Sequence, residues 1–599
     1  MELSLTKKLM VLVLFGRVYN LFSMKFIKNL FKSKEFLAIM VVLIAGLLAS
    51  RTLLFQKGYF NMHDDLQIMR QLEMEKCFKD FQIPCRWVPD MGYGFGFPLY
   101  NFYPPLPYLV GEIFRLLGFS FIVTVKLTFA LSLIASGIGM YYLAKQFFDR
   151  FGGIISAIFY IWAPYHSVDV YVRGAMNEAW ALIFFPLIFL YSYKLISKKK
   201  NETIKWLILL ALSWFGLLIT HNLMVIIFTP IFGFWCLLWM WKEKNFKIIP
   251  KLIISGILAL GLSSYFSLPA IFENKFTQVK SQLTGYYEYI AHFVSIKQLL
   301  ITRFWGYGPS VWGVKDDGMP FQVGHVHWVI TLVILALWLI GFYLVKNKKI
   351  KLKNLKTTDY LILFLFLVGW FAVFMTHNKS TPIYKLVSPL ALVQFPWRFL
   401  TIVIFSFSFL AGAITIFVKN KYFLSALIFF VILFNWNYFL PEHGKLGKLT
   451  DEEKLSGVAW DMQQTAGIYD YLPIWAETAP KEPQKVVAEI VNGMGEITNT
   501  EEKTNFAKFK IETTGSIVRI NIFKFPGWKV YIDGKEVDYF VPKEETWGRM
   551  WIEVPSGKHS VEAKFVNTPV RTVSNLISLV SWLGLGAYLM LQFKKWKKK

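Results

Sequence analysis

The sequence predicts an α-helical polytopic membrane protein of about 12 transmembrane helices with a C-terminal extracytoplasmic β-sandwich domain, and three observations lead there. Mean hydropathy is +0.43 over the 599 residues. Only 17% of residues are charged and 55% are hydrophobic, where soluble domains are roughly a quarter charged. Apolar runs of about 20 residues recur along the chain, each long enough for a ~30 Å hydrocarbon layer. A cytosolic enzyme with one large core is excluded. The net charge of +26 implies no nucleic-acid partner, because loops beside membrane spans collect Lys and Arg. Three cysteines exclude a disulfide scaffold or a Cys-rich metal site.

After a cytoplasmic segment, 1–35, hydropathy places spans at 36–55, 120–144, 153–168, 177–195, 204–220, 223–241, 251–269, 327–345, 358–376, 397–418, 422–440 and 573–593. A short apolar stretch, Leu9 to Phe15, is interrupted by Arg17 and lacks a small-residue cleavage site, so it is not read as a signal peptide. An interfacial helix or an upstream start preceding Met24 accounts for it equally. Lys198-Lys199-Lys200, the run from Lys346 to Lys356 and the closing KKWKKK all fall on one side. The positive-inside rule makes that side cytoplasmic, with both termini.

The long loops then lie outside: 56–119 within the transmembrane domain 36–440, then 270–326, 377–396 and 441–572. The last is read as a domain, followed by a final span and basic tail at 573–599. Segments KVVAEIV, FKIET, VRINIF, KVYIDGKEV, MWIEV and HSVEAKF are rich in β-formers. Asp533-Gly534 sits where a tight hairpin turn needs positive φ.

The chemistry-bearing residues are unevenly placed. His63, Asp64 and Asp65 follow the first span, Asp169, Arg173 and Glu178 follow the third, His221 ends the fifth and Arg398 opens the tenth. All face the outer side in this topology. Outward arginines run against the positive-inside bias, so Arg173 and Arg398 invite an anion, unless each simply snorkels. One Asp of the pair suffices as an N-cap for the stretch LQIMRQLEMEKCF, whose Leu66, Met69 and Leu72 share a face suited to the membrane interface. Two carboxylates beside a His also suit a general base, or a divalent cation such as Mg2+ or Mn2+ held by Asp64 and Asp65.

The following loop carries Gly92, Gly94 and Gly96 without a Rossmann context, so the glycines read as turns within an aromatic lid. Its rings could stack on sugars or prenyl chains, or form an interfacial belt. Lys126, inside a span, needs an anion, water or a snorkelling path. Cys77 and Cys85 share this loop and are candidates for a short-loop disulfide. Trp528 and Trp551 are either sugar platforms or core residues.

The segments HDD at 63–65, RWVPDMGYGFGFPLYNFYPPLPYL at 86–109, YVRGAMNEAWALIFFPL at 171–187, LITHN at 218–222 and QFPWRFL at 394–400 resemble bacterial membrane proteins known as "6-pyruvoyl-tetrahydropterin synthase related". FPGWKVYIDGKEV followed by PSGKHSVEAKF resembles the YfhO-like membrane proteins of cell-envelope glycosylation. No zinc-binding histidine set of a soluble pterin synthase is present. Both groups are similar to GT-C glycosyltransferases. That resemblance implies a GT-C-like transmembrane domain and inverting transfer of a sugar from a polyprenyl-phosphate donor to a glycan or lipid acceptor at the bilayer. It also implies Asp64 as base, with Asp65 as substitute or cation ligand and His63 beside them. Arg173 and Arg398 would meet the phosphate, Arg86 is a third candidate, and Glu178 and His221 would orient these groups. A lipid or glycolipid flippase and a non-catalytic envelope scaffold are the rival readings. Against the first, no repeated half-chain pattern is seen, and the polar groups gather at one surface instead of the midplane.

Overall fold

The computed structural model describes residues 33–197, 202–311, 317–346, 355–442 and 449–597. The readings for Leu9 to Phe15 and Met24, and for most of the lysine runs, lie outside the described residues. Among the described residues, nine helices are long and apolar enough to cross a membrane. Phe121–Ile161 contains two of the expected spans. Its backbone reverses at Phe148 and Asp149 (φ 68°), and a Cβ on Gly137 would lie 2.3 Å from Ile161 while one on Gly153 would lie 3.0 Å from Tyr141, so the two arms run antiparallel. Two other expected spans are shorter helices: Lys34–Ala49 continued by Arg51–Phe55, and Thr203–Leu218. Each expected span thus has a helix.

The arm after Asp149 does not run to residue 168. Ala163 is extended (ψ 135°), the conformation a residue before proline favours, and Pro164–Ser167 restarts as a single turn. It widens into a π-helical turn at Val168–Val172 before the chain re-enters helix at Met176–Ser197.

The carboxyl-terminal domain holds six antiparallel strands: β1 Ala488–Lys503, β2 Phe506–Phe523, β3 Trp528–Ile532, β4 Lys535–Val537, β5 Arg549–Val554 and β6 Gly557–Phe565. All belong to one sheet, ordered β1-β2-β6-β3-β4, with β5 also on β2. The amino-terminal half of β2 pairs with β6 and its carboxyl-terminal half with β5. A single bent sheet therefore encloses the core that two stacked sheets were expected to form: Phe509, Ile520, Val530, Ile552 and Val561 all belong to it. Asp533 (φ 49°) and Gly534 (φ 81°) make the tight turn between β3 and β4.

The first loop is buried against this domain instead of forming a membrane belt. Trp87 packs on Phe525, Trp528 and Phe565 at 5.4–5.8 Å between ring centroids, and Phe95 on Phe523 at 5.8 Å. Trp528 and Trp551 are correspondingly interior, and neither is a sugar platform. Gly96 (φ 84°) has no alternative, since a Cβ there would lie 2.4 Å from the Trp87 ring. The Cys77–Cys85 disulfide is present. Helix Gln67–Lys79 buries Gln67, Gln71 and Glu73 as well as its apolar face, so it lies within protein and not on the interface. Lys126 is buried and donates to the carbonyls of Gln56 and Gly58 at the end of the first helix.

The domain is tied to the helices by charge. Glu273 accepts from Arg571 Nε (2.9 Å), Asn101 Nδ2 (2.9 Å) and Thr568 Oγ1 (2.5 Å), with both ionic side chains almost wholly buried. Glu273→Gln should strand a buried guanidinium and lower stability by ~3–5 kcal/mol; an unchanged thermal unfolding midpoint in detergent would show that the pair does not hold the domain.

Candidate functional site

The broken helix after Ala163 leaves main-chain carbonyls that no helix satisfies, and the HDD segment takes them. His63 N–H donates to Val172 O (3.1 Å), Asp64 N–H to Arg173 O (2.9 Å), and Gln67 Nε2 to Gly174 O (2.8 Å). Gly174 (φ 61°) allows this approach, because a Cβ there would lie 2.2 Å from Met62 Sδ.

Neither aspartate caps the helix that follows: its N-cap is Leu66, without a side-chain bond. Asp64 Oδ2 instead accepts from Arg70 Nη1 (2.6 Å) and Gln67 Nε2 (3.1 Å), and the side chain is 34% exposed. Arg70 is itself held over the Tyr103 ring and donates to its hydroxyl. Asp65 pairs with Lys454 Nζ at 2.5 Å. Burial pushes the Asp65 carboxyl up, opposed by that ammonium. His63 Nε2 lies 3.0 Å from Tyr307 O, so that nitrogen carries the proton. Burial holds the ring below its usual pKa.

One layer deeper, Arg173 Nη1 lies 2.6 Å from Asp169 Oδ1 and 2.8 Å from Glu178 Oε2, with its guanidinium over Trp397. Arg398 Nε reaches the same Glu178 oxygen at 3.4 Å, and Arg398 Nη1 donates to Val393 O and Gln394 Oε1. Tyr165 OH donates to Glu178 Oε1 (2.7 Å). The Arg173 and Arg398 side chains are only 9% and 11% exposed, so neither snorkels. Burial, then the adjacent Glu178, pushes the Asp169 carboxyl well up, opposed by the Arg173 guanidinium. Two guanidiniums thus converge on the Glu178 carboxylate, and Asp169 pairs with Arg173 as well. His221 caps helix Asn222–Lys242 beside Glu178, and burial pushes it down to about 3.

Arg86 is not part of this arrangement. Its fork is occupied by Asn101 Oδ1 (3.2 Å), Tyr265 O and Asn575 Oδ1 (both 2.8 Å), and burial with the nearby Arg571 pushes it down to about 9. It braces the domain junction, so its candidacy for phosphate is withdrawn. The donor set does not suit a divalent cation as folded: Asp64 and Asp65 are each matched to a base, and among the described residues no group of three His, Cys, Asp or Glu could hold one. Arg70, Tyr165 and Lys454 were missed as site residues. Only Arg70 carried a local signal, a base one turn past Gln67 on the helix that Asp64 precedes.

A cleft of about 460 Å³ opens between the turns around 281–287 and residues 465–470. Tyr287 on its wall is within electrostatic reach of Asp64, and Tyr286 of Arg173.

The fold is that of a multi-pass membrane protein with an antiparallel sheet domain packed on one end. Residues 100–315 match the family model described as "6-pyruvoyl-tetrahydropterin synthase related domain; membrane protein". An uncharacterized protein of Lactococcus lactis subsp. cremoris (strain MG1363) is 25% identical over 252 residues, 40% of this chain and 40% of that one. The cryo-EM structure of arabinofuranosyltransferase AftD from mycobacteria is similar over 68% of this chain and 27% of its own, at 14% identity and a TM-score of 0.39. The chain thus spans well under half the length of either.

Glu178→Gln should leave two buried arginines short of a counter-charge and lower stability by ~3–5 kcal/mol. Asp65→Asn, at a pair one-third exposed on the acid side, should change it by ~1 kcal/mol or less. Calorimetry giving the reverse order would contradict the burial-based account of the cluster.

Proposed function

We propose that the chain is a membrane glycosyltransferase that moves a sugar from a polyprenyl-phosphate donor to a cell-envelope acceptor on the extracytoplasmic face. One observation carries the reading. The HDD segment is bonded through its main chain to the broken helix bearing Arg173, so a partly exposed carboxylate and a paired-arginine cluster are held side by side.

Transfer needs those two functions. Asp64 takes the proton of an acceptor hydroxyl as that oxygen forms its bond to the anomeric carbon. The bond from that carbon to the phosphate oxygen breaks on the opposite side, and the electron pair leaves with the prenyl phosphate, inverting the centre. Arg173 and Arg398 stabilise the charge gathering on the departing phosphate, for which a guanidinium offers two parallel donors. Arg70 and Gln67 fix the orientation of Asp64, while Asp65, locked to Lys454, joins the domain to the site. Glu178, His221 and Tyr165 position the arginines, and no step is routed through a cation.

In this reading both termini are cytoplasmic and the site end faces outward, as the positive-inside rule expects from the lysine runs in the sequence. A donor carried by a lipid fits that side, where no nucleotide sugar is available.

Asp64→Asn should lower transfer by ~10²–10⁴-fold while leaving the unfolding midpoint near that of the native chain. Undiminished release of prenyl phosphate in proteoliposomes would remove Asp64 from the mechanism, and movement of labelled lipid without sugar cleavage would favour a flippase. Burial lowers both the His63 and the His221 imidazole, so neither should put a limb in the rate profile at or above the usual histidine value of about 6.5. His63→Gln should leave its shape unchanged, and a limb near 6.5 that vanishes in that variant would contradict the assignment.

A further inference from the structure

Between the helices His325–Lys346 and Lys421–Asn435 a groove of about 300 Å³ opens on the flank of the bundle. Val326, Val329 and Ile330 form one wall and Leu427, Phe430 and Phe434 the other, with His325 as the one polar side chain lining it. Val329, Phe430 and Phe434 are 42%, 47% and 41% exposed. Both helices are long and apolar enough to span a membrane, so the open side of the groove faces hydrocarbon.

A cation stands at its mouth. Arg303 Nη2 donates to Phe434 O (2.9 Å) and Nε to Tyr438 OH (3.3 Å), and the guanidinium lies 5.3 Å from the centre of the Phe434 ring, the same ring that lines the groove. Both acceptors are neutral. Among the described residues Arg303 meets no carboxylate at ion-pair distance, and its Nη1 has no acceptor. Arg173 and Arg398, in contrast, are matched to Glu178. Trp305 stacks on that same Tyr438 at 4.3 Å, and Trp328, three residues past His325, donates to Leu300 O (3.1 Å). Tryptophan and tyrosine gathered at the ends of spans mark headgroup depth.

We propose that this groove binds one anionic phospholipid of the surrounding bilayer, with an acyl chain between the two helices and a phosphate oxygen on Arg303 Nη1. The inference stands apart from the transferase reading. Walls without hydrogen-bonding groups suit a hydrocarbon chain, and a guanidinium with an unused N–H suits a phosphate oxygen. The stretch from Leu427 to Phe434 rises about 10 Å along its helix, a length that takes a stretch of extended chain. A choline headgroup brings its own ammonium to the mouth and cancels the attraction. Free phosphate lacks the chain, whereas a polyprenyl phosphate offers both parts, so the test separates these sources.

Native mass spectrometry of the full chain counts the lipids it retains. The probes are phosphatidylglycerol, phosphatidylcholine with the same acyl chains, polyprenyl phosphate, and inorganic phosphate as competitor. Phosphatidylglycerol should be held roughly tenfold more tightly than phosphatidylcholine. Arg303→Gln should bring the two within about twofold, Arg303→Lys should keep most of the preference, and Val329→Trp, which fills the groove from an exposed position, should weaken both lipids. Lys421→Gln, at the far end of the same helix, should leave the preference as it is. Equal retention of the two phospholipids, a preference that survives Arg303→Gln, or displacement by inorganic phosphate would overturn the proposal. Tighter retention of polyprenyl phosphate, lost in the Arg303→Gln and Val329→Trp variants, would give the groove to the donor and overturn the phospholipid assignment. Lipid retention is read without turnover, so a chain that transfers no sugar would overturn the transferase reading and leave this one standing.

Discussion

Everything at the sheet-domain end of the molecule depends on how the chain resolves the helix break after Ile161. Irregular backbone at the edge of a membrane must have its polar groups paired inside the protein, because no water is there to take them. The carbonyls of Val172, Arg173 and Gly174 find donors in the segment that follows the first helix, Gly174 also accepting from the Met176 N–H. The pairing that makes the break tolerable also sets Asp64 next to the arginine cluster. Structure and candidate chemistry therefore share one set of bonds, and a residue as bland as Gly174 is needed for both.

The charges gathered there would be destabilising singly. Each is held by a partner from another element: Arg70 by Asp64, Lys454 by Asp65, and Arg173 with Arg398 by Glu178. Such pairs commonly break even against their desolvation, so they are weak sources of stability. Their value is positional, since losing one partner exposes the other's full cost and leaves few alternative packings. The sheet domain joins this system through Lys454 and through Asp451, whose carboxylate accepts from the Phe121 and Ile122 N–H groups at the start of the long helical hairpin. It is a wall of the site as much as an appendage.

How much was legible beforehand varied with the range of the interaction. Asp533-Gly534 announced its turn because both conformations are local. His63, Asp64, Arg173 and Arg398 stood out because charge beside an apolar span is costly wherever the chain goes. Arg86 carried the same signal and proved to brace the junction near Arg571, since charge near a span reports burial and not the partner that relieves it. The aromatics between Trp87 and Tyr103 looked like a belt or lid for a similar reason: ring content does not say which surface the rings meet.

The chain's composition and periodicity by themselves determined the spans and the β character of the region after Pro441, because hydropathy and strand propensity are properties of neighbouring residues. Only the tertiary structure decided that Asp64 pairs with Arg70, that Lys454 crosses to Asp65, that six strands bend as one sheet, and that a tyrosine-lined cleft opens between residues 281–287 and 465–470. Those outcomes join residues tens to hundreds of positions apart, and the free energy that selects among such pairings belongs to the packed whole.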